Sequence, residues 1–328
     1  MRKTLALTIA AFLGLVATVR AEPLDMNRVS ADAKWAVHLD VDALHASSLF
    51  QKTRQKVLEK HPEAAAGLAM VREVWKFDPC TDLHGITVYS SQLKKDTGVA
   101  IVHAKVNQPF LLERLKQASE HRVSTYGKYE VHSWLHAKGC RRERYMAGAF
   151  FKPDVLVFGG SSEEVMAALD VLGGVKPSYA GKGLPSGGKI HPGAILVVSA
   201  IGLGDLELPC KSPLSKQVES LVLATGESDG KIFVEGTLAA KKPETAQQLK
   251  AVGDGALALA TLLHGEDTAL LKLISALKLT ATEKTVSLEG SASVDDVWNR
   301  LQELVEKKFW RGPHRFGHSA SIAPKEKK

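Results

Sequence analysis

The chain has 328 residues, with 43 Lys and Arg against 36 Asp and Glu and a formal net charge of +7. The positive excess lies in residues 1–21 and 309–328, because residues 22–308 contain 35 cations and 35 anions. A neutral body argues against a dedicated nucleic-acid-binding domain, which would carry a basic surface of its own.

Residues 1–21 have the features of a cleavable signal peptide. Arg2 and Lys3 precede an apolar run over 5–19, and small side chains stand three and one positions before Glu22. The run is shorter than the roughly 20 residues that a membrane-spanning helix needs. We expect cleavage before Glu22 and export to the periplasm or the extracellular space. The alternative is an uncleaved N-terminal anchor.

The first half of the mature chain, residues 22–180, alternates predicted strands and helices in short units. Apolar and β-branched runs predict the strands, and Ser or Pro before a helical apolar pattern predicts the helix starts. In chain order the elements are a strand at 35–41, a helical region at 48–75, strands at 85–89 and 98–106, a helix from Pro109, strands at 129–135 and from Val155, and a helix from Ser161.

The second half repeats this order in a shorter form. Its elements are strands at 194–200, 220–224 and 230–238, a helix from Pro243, a strand at 286–290 and a helix from Ser293. Ser161 and Ser293 lie 132 residues apart, as do Gly98 and Gly230, so two separate blocks share one offset. Each serine can cap the first turn of its helix, and the acid three residues later suits the positive end of the helix dipole. We interpret the pattern as an internal repeat.

Hairpins and single helices, without regular βαβ crossovers, predict an α+β fold. We expect two tandem related modules, each a largely antiparallel sheet with helices packed on one face. The modules would span 22–180 and 194–308, joined by a Gly- and Pro-rich linker at 181–193. A basic disordered tail at 309–328 would follow.

Two segments of the first half resemble a family of uncharacterised exported bacterial proteins with duplicated α+β modules. Trp35 to Leu44 reads Trp-Ala-Val-His-Leu-Asp-Val-Asp-Ala-Leu, and Phe77 to Tyr89 contains Phe-Asp-Pro-Cys-Thr-Asp-Leu-His. The resemblance covers most of 33–172 and is weaker in the second half. It implies no activity, since that group has no assigned function.

Asp40 and Asp42 are the candidate catalytic residues. Their spacing puts two carboxylates on one strand face, where they could bind a metal or act in acid–base chemistry. The corresponding positions of the second half are Ser199 and Ile201, so a duplicated fold does not require the pair. The alternative is that both aspartates cap the strand end and the following helix.

His132 and His136 are the candidate metal ligands, with Cys140 at the next interval of four. On a strand the two imidazoles would share a face about 13 Å apart. One zinc needs each ligand within about 2.1 Å, so only a tight turn through 136–140 could bring them together. We therefore expect no metal here, and a histidine at a strand edge beside a loop cysteine instead.

No cofactor-binding motif fits its surroundings, and we expect no cofactor. Residues 183–190 match the spacing of a phosphate-binding loop, but Ile190 replaces the Ser or Thr and no helix follows. Ser91 to Lys94 has the Ser-x-x-Lys spacing of penicillin-recognising enzymes without their companion motifs, which favours a turn. The chain has no Cys-x-x-Cys motif, and pairing among its three cysteines stays open: Cys80, Cys140 and Cys210.

These features predict an exported envelope protein that binds or scaffolds an unknown envelope component without catalysis. One alternative is a hydrolase-type enzyme with its site in the first module, around Asp40 and Asp42. Another is a weak tether in which the tail at 309–328, with cations and the aromatic residues Phe309, Trp310 and Phe316, contacts anionic membrane or polysaccharide.

Overall fold

A computed structural model describes most of the chain. It covers residues 23–94, 97–138, 143–181, 184–185, 190–203 and 215–309. The proposed signal peptide, six of the 13 residues of the proposed linker and residues 310–328 lie outside the described residues. Within the described ranges, no helix is both long and apolar enough to cross a bilayer.

Twelve strands form one antiparallel sheet in the described part of the chain. The strands are β1 (Trp35–Asp40), β2 (Leu83–Ser90), β3 (Val99–Ala104), β4 (Arg122–Tyr126), β5 (Tyr129–Lys138), β6 (Glu143–Lys152), β7 (Val155–Gly159), β8 (Ala194–Ile201), β9 (Val218–Ser228), β10 (Lys231–Ala240), β11 (Leu277–Thr282) and β12 (Thr285–Ser293). Their order across the sheet is β11-β12-β10-β9-β8-β1-β2-β3-β7-β6-β5-β4.

The α-helices lie between and after these strands. They are α1 (Val41–Ala46), α2 (Ser48–Lys60), α3 (Pro62–Trp75), α4 (Gln108–Lys116), α5 (Ser162–Leu172), α6 (Pro243–Leu263), α7 (Thr268–Ser275) and α8 (Val294–Phe309). The helical region expected at 48–75 is divided at His61, because Pro62 disfavours helical backbone at the residue before it and starts α3 instead. The α+β class and the antiparallel sheet are confirmed.

The two halves of the chain share a single sheet. β1 pairs antiparallel with β8, in a register that sets Trp35 opposite Ala200 and Val37 opposite Val198. Seven strands lie on one side of this pairing and five on the other if each central strand is counted with its own half. The two predicted modules are therefore joined edge to edge by ladder hydrogen bonds.

Strand alternation places apolar side chains on both faces of the sheet near β7. Val155 and Val157 belong to the buried core, which also contains Val165 and Leu169 of α5. The side chains between and after them, Leu156 and Phe158, line a cavity on the opposite face, beneath α4. Helices thus lie over both faces of the sheet, whereas the sequence pattern predicted helices on one face only.

Each half has a helix after its third strand, α4 after β3 and α6 after β10. α6 packs its Ala246 and Leu249 against Ala240 and Val286 of the sheet. The last helices of the two halves, α5 and α8, begin after Ser161 and Ser293. Ser161 Oγ accepts from the Glu164 amide at 3.3 Å, and Ser293 Oγ from the Asp296 amide at 3.1 Å. The internal repeat itself stays a prediction.

Candidate functional site: an apolar cavity beneath α4

A partly open cavity of about 300 Å³ lies between α4 and strands β5 to β7. Its walls come from five elements and the loop after α4, and they are almost entirely hydrophobic. The lining residues are Trp75, Leu111, Leu112, Arg114, Leu115, Ala118, His132, Trp134, Gly148, Ala149, Phe150, Leu156 and Phe158. A concave apolar volume with a few polar groups is the usual form of a small-molecule site.

The sheet floor of the cavity is shaped by β6 and β7. Gly148 faces Phe158 across this pair. A Cβ added at Gly148 would lie 3.1 Å from Cδ1 of the Phe158 ring, closer than ordinary packing allows. The missing side chain at Gly148 therefore leaves room for the Phe158 ring to pack over β6, and the ring forms part of the apolar floor of the cavity.

The roof of the cavity is α4, which Asn107 caps by accepting from the Phe110 amide at 3.1 Å. Leu111, Leu112 and Leu115 point to the cavity from this helix. None of the residues of α4 is fully buried, although its apolar side faces the sheet. The helix therefore stands over a gap instead of packing directly on the strands.

Arg114 is the charged residue of the cavity lining. Its guanidinium carbon lies 5.3 Å from the centroid of the Phe110 ring, in cation–π contact. The acid next to it, Glu113, pairs with Lys116 at 3.1 Å. Within the described residues Arg114 has no carboxylate partner, so its positive charge at the cavity is not compensated by the protein.

His132 is the second polar group of the lining and is buried, with 7% of its surface exposed. Its Nδ1 lies 3.2 Å from Nε2 of His121, and the two rings stack with centroids 5.4 Å apart. Burial lowers the pKa of His132, the charge of His121 lowers it further, and Glu130 opposes the shift. Burial therefore favours the neutral form of the imidazole.

The candidate carboxylates are separated by the turn from β1 into α1. Asp40 ends the strand, is 1% exposed and accepts from the Ala43 amide at 2.8 Å as the N-cap of α1. Asp42 lies in α1, and both of its carboxylate oxygens are 3.1 Å from Nδ1 of His84. The expectation of one shared strand face is wrong, because the chain turns into a helix at Val41.

Asp42 and His84 belong to a polar group at one end of the sheet. His103 Nε2 lies 2.9 Å from Asp154, and the rings of His84 and His103 are 5.3 Å apart. The hydrogen bond from His103 lowers the pKa of Asp154. Sequence reasoning missed these histidines, which occupy comparable ends of the paired strands β2 and β3. The arrangement pairs each of the two imidazoles with a carboxylate.

His132 and His136 are not brought together. His132 is buried at the cavity, while His136 is exposed, at an irregularity in the pairing between Leu135 and Ala137. Among the described residues no group of three or more His, Cys, Asp or Glu side chains could hold a metal ion. Cys140 lies outside the described residues.

The remaining motifs lie in connecting segments or outside the described chain. Ser91 to Lys94 forms a bend between β2 and β3, as the turn interpretation predicted. Cys80 is a free, half-buried thiol in the loop before β2, and Cys210 is not among the described residues. Most of 183–190, the segment with the spacing of a phosphate-binding loop, likewise lies outside them.

Fold and cavity together define an α+β protein whose described residues form one antiparallel sheet and an apolar cavity. No family model and no curated protein matches the chain. Among solved structures, TP0453 in crystal form III is similar at 10% identity and a TM-score of 0.44, covering 87% of this chain and 100% of that one. Crystal form I of TP0453 gives 8% identity, a TM-score of 0.42 and coverages of 86% and 98%. Likeness this distant assigns no function.

Proposed function

We propose that this protein is an exported binding protein that holds a hydrophobic small molecule in the cavity beneath α4, without transforming it. The observation that carries the proposal is the cavity itself, about 300 Å³ with almost wholly apolar walls. That volume lies at the lower end of the range usual for ligand sites.

The position of α4 supports binding over simple imperfect packing. Protein interiors leave few voids larger than a water molecule, because side chains interdigitate at close to crystal density. Here a helix with three leucines toward the sheet has no fully buried residue. An apolar occupant would bury those leucines together with Phe150 and Phe158 and would supply the missing contacts.

The groups on the cavity wall support binding over hydrolysis. Its titratable residues are Arg114 and His132. The Glu130 carboxylate lies 3.8 Å from His132 Nε2 but is not part of the lining, and the described lining contains no hydroxyl or carboxylate nucleophile. Nucleophilic catalysis needs a base within hydrogen-bond reach of such a group. Asp42 and His84 interact with each other at the end of the sheet and are not part of the lining.

Quenching of tryptophan fluorescence tests the proposed function, because Trp75 and Trp134 both line the cavity. We expect 11-bromoundecanol to quench the mature protein saturably. Ala118→Trp should fill the cavity and weaken binding about tenfold or more. Val252→Trp, at a position 59% exposed on α6, is the matched control and should leave the affinity unchanged. Quenching that does not saturate, or that Ala118→Trp leaves intact, would overturn the proposal.

Export is tested separately by N-terminal sequencing of the protein recovered from its own cells. The support is the charged start, short apolar run and small residues before Glu22. The mature chain should begin at Glu22 or within a few residues of it. A product that retains Met1 and the apolar run would contradict signal-peptide cleavage.

A further inference from the structure

The cavity has one formal charge on its described lining, and that charge is positive. Arg114 is exposed on α4 at the cavity, while burial of His132 favours its neutral form. The other lining residues are apolar side chains and a glycine. A purely hydrocarbon ligand would make no use of this charge, whereas an anionic group at one end of the ligand would.

Two features keep the charge of Arg114 available to a ligand. The neighbouring Glu113 is engaged by Lys116, three residues along the same helix. The Phe110 ring supports the guanidinium from one side and leaves its N–H edge open to acceptors, since cation–π contact uses the flat face. A guanidinium fork matches the two oxygens of a carboxylate.

We infer that the ligand is a single-chain amphiphile with a carboxylate head, held with its hydrocarbon chain in the cavity and its head at Arg114. This inference rests on the proposed function. The orientation follows from solvation. Transfer of the hydrocarbon chain out of water is favourable, whereas transfer of an unpaired carboxylate out of water costs a large free energy. An exposed arginine over an apolar cleft lets the head stay hydrated while it is paired.

The experiment compares two ligands that differ only in the head group, 11-bromoundecanoate and 11-bromoundecanol, by quenching of the cavity tryptophans in the full mature chain. The wild type should bind the carboxylate about tenfold more tightly than the alcohol, as a charge-assisted hydrogen bond allows. Arg114→Gln should abolish that preference, so that the carboxylate and the alcohol bind equally. Arg114→Lys should restore part of the preference.

Lys105→Gln is the matched control, because it removes the same charge from an exposed residue just before the same helix that is not on the lining. It should keep the preference for the carboxylate. Equal binding of the two ligands by the wild type, or an unchanged preference in Arg114→Gln, would overturn this inference and leave the proposed function standing. If neither ligand quenches saturably, both fail.

Discussion

At the scale of single residues, two predicted site residues are buried and make structural contacts. Asp40 was a candidate acid, but its carboxylate caps α1 and is almost fully enclosed. His132 was a candidate metal ligand, but it stacks on His121 at the cavity wall. In both cases the polar atoms of the side chain interact with neighbouring protein groups: the Asp40 carboxylate with the Ala43 amide, and the His132 imidazole with His121.

Replacement of Asp40 separates capping from catalysis. Asp40→Ala removes the acceptor for the Ala43 amide and should lower the free energy of unfolding by about 1–2 kcal/mol. Asp40→Asn keeps an acceptor oxygen, so its free energy of unfolding should fall much less. Urea denaturation of the three proteins gives the comparison. Equal stability of the alanine variant and the wild type would contradict the capping role.

Acid should destabilise the protein partly through His132. Its pKa is lowered in the folded state, so the native protein takes up its proton later than the unfolded chain does. Stability is therefore lost as the pH falls through the ordinary value of 6.5 toward the lower native pKa. His132→Asn should flatten the change in urea midpoint between pH 7.5 and 5, and the exposed His136→Asn should not. Equal slopes in all three proteins would refute this assignment.

At the scale of elements, the two Ser-x-x-acid helix starts occupy matching places in the halves of the chain. In α5 the Glu164 carboxylate also accepts from the Gly98 and Gly160 amides, at 3.3 Å and 2.9 Å, and so links the helix to two strand ends. In α8 the Asp296 carboxylate instead meets the Ser293 hydroxyl and Lys272. Similar local sequences therefore cap their helices alike and make different tertiary contacts.

Removal of either capping hydroxyl should weaken its helix by about 1 kcal/mol. Ser161→Ala and Ser293→Ala each leave a first-turn amide without its acceptor. Ser162→Ala, one residue along in the first turn of α5, is the control and should stay within about 0.5 kcal/mol of the wild type. Thermal or urea unfolding measures all three. A loss at Ser162 equal to that at Ser161 would show that the cap is not the cause.

At the scale of the whole molecule, the pairing of β1 with β8 makes one sheet from two halves. Val197 of β8 lies opposite His38, is 1% exposed and packs with Ala224 and Phe233. Ladder hydrogen bonds join the strands on both sides of this pairing, and Leu24 packs against a core cluster of each half, so the halves should unfold together.

Val197→Ala should lower the stability of both halves by about 2 kcal/mol, since it leaves a small void in a packed core. Native-state hydrogen exchange would measure the loss in β3 and in β10, on opposite sides of the pairing. Val175→Ala, at a position 78% exposed, is the control and should change neither. Two separate unfolding transitions, with only β10 affected, would show independent modules.

The sequence by itself determined the α+β class, the order of most strands and helices, and the places where α5 and α8 begin. These features are local, because strand alternation, a serine cap or a helix-starting proline acts within a few residues. It also indicated His132, but as a candidate metal ligand and not as part of the wall of an apolar cavity.

Only the tertiary structure decided the continuous sheet and the cavity. Alternation in β1 fixes which side chains share a face and not which strand lies alongside, so the pairing with β8 was invisible in the sequence. The cavity depends on how far α4 stands from Phe150 and Phe158, and on bringing Trp75 and His132 to it from distant elements. That distance is set by the packing of the whole sheet, which no short stretch of residues encodes.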